Sequence, residues 1–101
     1  MKIIKTIAEK IREEISDAEE YAKLAMTNKA NYPEMADVFL NLSKQELTHA
    51  NMLHEQAERL IRDYRASGKE IPAGMQAVYD WEHGKMIDGV TRIKMMQDMI
   101  R

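Results

Sequence analysis

Glu46-Leu47-Thr48-His49 decides how this chain is read, because it sets a carboxylate and an imidazole three residues apart within a run of helix formers. Residues three and four apart project from the same face of a helix. Taken at those steps, the surrounding segment gives Met35, Phe39, Leu42, Glu46, His49, Leu53, Leu60 and Tyr64 as inward positions. Around Glu46 and His49 that stripe is apolar. A buried carboxylate costs several kcal/mol unless something compensates it, so the pair needs a chemical reason to be there. A divalent cation would offset the clustered negative charge and the desolvation together, and Glu-x-x-His pairs projecting into helical bundles are a known ligand arrangement.

Outward from this stretch the chain breaks in only two places. Asn28 to Pro33 combines turn formers with a proline suited to the first turn of a helix. Ser67 to Pro72 repeats the logic, with Gly68 as a helix stop and Pro72 as a restart. The segments between are rich in Ala, Glu, Lys, Leu and Met, and no run alternates as a strand would. The expectation is a single all-α domain over residues 1–101, with helices near 3–29, 33–66 and 73–100. Each would be roughly 40–50 Å long at about 1.5 Å per residue. Long helices joined by short loops pack antiparallel. A four-helix bundle is the commoner closed form, so an odd count points to completion by a second chain.

The first helix carries a matching anomaly. Ile4, Ile11, Ala18 and Ala25 recur every seven residues, with Ile7, Glu14, Tyr21 and Asn28 as the companion row. Of its acidic residues, Glu14 belongs to this stripe, while Glu13, Glu19 and Glu20 point elsewhere. Glu14 reads either as a half-exposed carboxylate at a helix flank or as a further ligand beside Glu46 and His49. A carboxylate-rich set with one imidazole and no sulfur suits iron or manganese better than structural zinc.

The third helix holds Asp80-Trp81-Glu82-His83. One phasing turns Met75, Tyr79, Glu82, Met86, Gly89, Ile93, Met96 and Ile100 inward, with Glu82 the charged member. A rotated phasing through Tyr79, His83, Met86, Val90 and Ile93 brings in His83 instead, and Asp80 with His83 makes an Asp-x-x-His pair. A surface cluster closing the bundle end is the third reading. Gly84 and Gly89 each cost about 1 kcal/mol inside a helix, which a close helix–helix approach would explain. His54 reads as off the seam, in a solvated ion pair with Glu58 one turn on. The methionines at 86, 95, 96 and 99 read as core or interface filling.

Composition excludes several classes. A net charge of −2, with 15 basic residues interspersed among 17 acidic ones, leaves no nucleic-acid footprint. The absence of cysteine excludes disulfides, thiolate zinc sites and iron–sulfur or rubredoxin-type centres. No apolar leader or stretch of about 18 apolar residues is present, so no membrane span is expected. These features fit a cytoplasmic protein.

Glu14-x6-Tyr21, Tyr32-Pro33-Glu34-Met35-Ala36-Asp37-Val38-Phe39 and Gln45-Glu46-Leu47-Thr48-His49-Ala50 together resemble the ferritin-like superfamily, especially rubrerythrins and encapsulated ferritins. The resemblance covers roughly residues 10–62. It implies that Glu14 and His49 are terminal iron ligands and Glu46 a bridging one, and Glu82 resembles the third-helix glutamate of that fold. The family pattern places a glutamate on two helices and Glu-x-x-His on the other two. These 101 residues hold one half of that set. Encapsulated ferritins resemble a solution in which two chains each supply one half.

The function implied is an iron-binding ferritin-like protein with a di-iron site shared in a homodimer or larger homo-oligomer. It would oxidise Fe(II) with oxygen or peroxide, as a ferroxidase-type oxidoreductase. Manganese is a second candidate metal. The competing readings are a non-catalytic helical assembly module and a di-metal oxidoreductase acting on peroxide. No encapsulating shell can be read from the residues.

Overall fold

Pro33 and Gly68 set the ends of the longest helix. Tyr32 precedes it at φ −136° with no side-chain cap, so the helix starts on the fixed φ of Pro33, with Glu34 favourably placed in the first turn. At the other end Gly68 adopts φ 85°, the left-handed conformation that stops a helix, and its N–H bonds to Arg65 O at 3.0 Å. The computed structural model describes residues 2–100. They form α1 (Lys2–Asn28), α2 (Pro33–Ala66) and α3 (Ala73–Ile100), an all-α arrangement 57 Å long and 18 by 17 Å across. No described helix is long and apolar enough to cross a membrane.

The two short loops make α2 antiparallel to both neighbours. α1 and α2 pack along their lengths, and α3 lies mainly against α1. Small residues allow the α1–α2 approach: Ala18, Ala22 and Ala25 on α1 and Ala36, Ser43, Ala50 and Ala57 on α2 are all buried. Ile4, Ile7, Ile11 and Ile61 fill the end where α3 begins, and Ile93 and Ile100 close the rest. A polar link crosses the core. Ser43 Oγ donates to Ala18 O at 2.6 Å and accepts from Gln97 Nε2 at 2.8 Å, tying all three helices together.

The buried stripe of α2 is not the expected one. It runs through Ala36, Ser43, Leu47, Ala50, Ala57 and Ile61, rotated roughly 80° from the row through Glu46 and His49 at about 100° per residue. Phe39, Leu42, Glu46, Leu53, Leu60 and Tyr64 are half-buried on its margin, and Met35 and His49 are exposed. On α1, likewise, Ala22 takes a buried position while Glu14, Tyr21 and Asn28 sit half-buried. The physical reason is packing distance: alanine and serine let the helices close, whereas the larger side chains are pushed to the flank. Both margins lie on the side of the α1–α2 pair away from α3, which instead covers the flank of Ile15 with its Met86 and Gly89. Gly89 explains itself there, since a Cβ would come within 3.0 Å of Ile15 Cγ2. Gly84 does not, having nothing within 4 Å of that position. Met86 and Met96 pack against the core, whereas Met95 and Met99 are exposed.

Candidate metal centre

Glu46 and His49 stand one turn apart on α2, and the α1–α2 packing brings Glu14 opposite them. His49 Nδ1 lies 3.6 Å from Glu14 Oε2 and 3.8 Å from Glu46 Oε1. One ligand atom from each of the three falls within 4.8 Å of the others. Donors about 2.1 Å from a shared cation stand about 3.4 Å apart in tetrahedral geometry, so small side-chain movements would close the set on an ion. The side chains of Glu14 and Glu46 are largely covered, at 27% and 19% exposure, while that of His49 is half open at 50%.

The charge balance is incomplete. Glu14 Oε2 is enclosed and has no hydrogen-bond partner, although buried polar atoms are normally satisfied. A proton on His49 would offset one of the two carboxylates. A divalent cation would offset both and give the orphaned oxygen a partner. Tyr21, two turns along from Glu14, stacks on Phe39 with ring centroids 6.3 Å apart and closes the neighbouring stretch of this flank.

The third-helix candidates lie elsewhere. Glu82 accepts a hydrogen bond from Arg12 Nη2 at 3.0 Å, Asp80 accepts one from Gln76 Nε2 at 2.8 Å on the surface, and His83 packs edge-on against His54. α3 rotates between the two expected phasings, so Glu82 and His83 are both half-buried, on the covered flank rather than beside Glu14. His54 departs furthest from its reading. It lies between Ala50 and Ala57 on the buried stripe, its side chain 18% exposed, and forms a second group with Glu58 and His83. Its signal was present in the spacing of the alanines, which a search for large apolar residues passes over.

A model of the rubrerythrin family matches residues 5–92. The chain belongs to the rubrerythrin family. This places it in the ferritin-like superfamily, whose helical architecture the structure reproduces. Rubrerythrins typically bind iron, and Glu14, Glu46 and His49 offer oxygen and imidazole donors that suit it. Neither the curated proteins nor the solved structures yield a match to the chain.

Proposed function

We propose that this rubrerythrin-family protein binds two irons at a carboxylate/histidine site shared between two copies of the chain, and oxidises Fe(II) with oxygen or peroxide. The observation that carries the reading is the orphaned Glu14 Oε2, enclosed beside Glu46 and His49 with no protein donor to satisfy it. Three ligands from one chain are too few for two irons. The flank that carries them is also the one α3 leaves bare, and it presents Met35 and Val38 to solvent along the same face of α2 as half-exposed His49. A second copy applied there would cover this apolar surface and bring up a second Glu14, Glu46 and His49.

Each residue has a separate task. The two carboxylates of one copy would balance the charge of one Fe(II), with Glu46 the carboxylate common to both half-sites. His49 contributes a neutral donor, so its proton must leave before it can ligate. Iron bound there supplies the redox chemistry: two Fe(II) give one electron each, and peroxide takes up two electrons and two protons to form water. Covering by the partner would keep bulk water from the reacting pair.

Fe(II) titration under anaerobic conditions, followed by admission of oxygen, tests the proposal. Wild type should bind two irons per pair of chains and consume oxygen in proportion to iron. His49→Ala should lose both. Equal binding and turnover in the two proteins would assign the chemistry to other residues.

A further inference from the structure

Among the described residues two side-chain atoms are enclosed without a hydrogen-bond partner: Glu14 Oε2 and His54 Nε2. The first belongs to the centre above. The second lies on the buried stripe of α2, at the wall of a cleft of about 390 Å³ between α1 and α3. His54 Nε2 stands 3.5 Å from Glu58 Oε1, and the His54 and His83 rings meet edge-on with centroids 4.5 Å apart. One donor atom from each of His54, Glu58 and His83 lies within 4.8 Å of the others.

We infer that His54, Glu58 and His83 form a second, mononuclear site for a divalent transition ion, best suited to Zn2+, that pins α3 to α2. Two imidazoles and one carboxylate are a zinc ligand set, with bonds of about 2.0–2.2 Å and a fourth position left for water. At such bond lengths tetrahedral donors stand about 3.4 Å apart, close to the 3.5 Å already separating His54 and Glu58. The donor set differs from the first centre in having one carboxylate rather than two. It therefore favours zinc over the harder, carboxylate-rich preference of iron.

Three surrounding features fit a built site. Tyr79 Oη donates to Glu58 Oε1 at 2.5 Å, fixing the carboxylate as hydrogen-bonded neighbours do around metal ligands. Glu82 is engaged by Arg12 across the cleft, which leaves the fourth position free of a competing carboxylate. The ligands also come from two helices that otherwise touch little, so an ion there would add a cross-link where packing is thinnest.

The test uses the full chain carrying His49→Ala, which removes a ligand of the first centre, and Co2+ or Zn2+ alone as the probe. This protein should bind one ion per chain, and Co2+ should give the intense visible bands of a tetrahedral site. Adding His54→Ala or His83→Ala should abolish those bands, and Tyr79→Phe should weaken binding about tenfold. Far-ultraviolet circular dichroism checks that each variant remains helical. As a readout that needs no variant, the ring nitrogen resonances of His54 and His83 in wild type should shift together with Zn2+. Unchanged bands in the His54 and His83 variants, or ring resonances that ignore zinc, would overturn the site. If His49→Ala itself lost tetrahedral Co2+ binding, the ion would belong to the first centre and the inference would fail, whatever the fate of the ferroxidase reading.

Discussion

The two flanks of the α1–α2 pair are built from opposite materials. One is covered by α3 and holds the Ile15–Gly89 contact, the cleft and the two-histidine group. The other is bare and carries Glu14, Glu46 and His49, with exposed Met35 and Val38 further along the same face of α2. Among the described residues each flank contains one enclosed polar atom without a hydrogen-bond partner. A carboxylate-rich group facing outward suits a site to be finished by another molecule. An imidazole-rich group facing another helix suits a site that one chain finishes itself. The difference teaches that ligand chemistry and surface exposure were arranged together, and each flank can be challenged on its own.

The largest effect is expected on the bare flank. If metal binds only the paired form, loading shifts association toward it: metal a hundredfold above its dissociation constant contributes about 2.7 kcal/mol, near a hundredfold in affinity. Sedimentation should show wild type associating far more tightly with Fe(II) than without. Glu14→Gln or Glu46→Gln should do the reverse, tightening the metal-free pair by relieving repulsion while weakening the response to Fe(II). Loading should also fall with acid, because protons compete with the metal for the imidazole and carboxylate ligands. A monomer that binds two irons would break the comparison, because the bare flank would then need no partner.

The core between the two flanks predicts an effect on stability. Ser43 joins Ala18 O to Gln97 Nε2 inside the core. Ser43→Ala leaves both without their partner, at an expected cost of about 1–3 kcal/mol. Urea denaturation should show a lower midpoint with an unchanged slope, while Fe(II) binding persists because Glu14, Glu46 and His49 lie on the bare flank. A loss of iron binding along with stability would mean that the core and the bare flank are mechanically coupled.

What the sequence made legible follows the same division. The helix limits and the Glu46-His49 pair are local, set by proline, glycine and a spacing of three, and Glu14 follows from a seven-residue row on one helix. The exact rotation of α2 was not legible. Its core face is written in alanine and serine, whose small side chains carry little hydropathy yet permit the closest packing. Reading large apolar residues as the core turned the helix toward its flank and sent His54 to the surface. The His54–His83 meeting joins residues 29 positions apart through α3, whose own pattern fitted two rotations and settled between them. A contact of that kind depends on helix rotation, which no local motif states.

The smallest effect separates two glycines on one helix and measures how firmly α3 is held. Gly84 is exposed, with nothing within 4 Å of an added Cβ. Gly84→Ala should therefore recover the helix propensity of alanine, about 1 kcal/mol, and raise the melting temperature by about 4–8 °C for a domain of this size. Gly89 offers the same propensity gain but meets Ile15 Cγ2 at 3.0 Å. Overpacking a filled contact costs about 1–3 kcal/mol, so Gly89→Ala should come out neutral to destabilising. Ile15→Leu in the Gly89→Ala protein, which removes the Cγ2 methyl concerned at nearly constant volume, should return part of the difference. Thermal unfolding of the two alanine variants side by side reads this directly. Equal stabilisation at both positions would mean that Ile15 moves aside freely and that α3 rides loosely on α1. The covered flank would then be as open to rearrangement as the bare one, and the division between them would rest on chemistry alone.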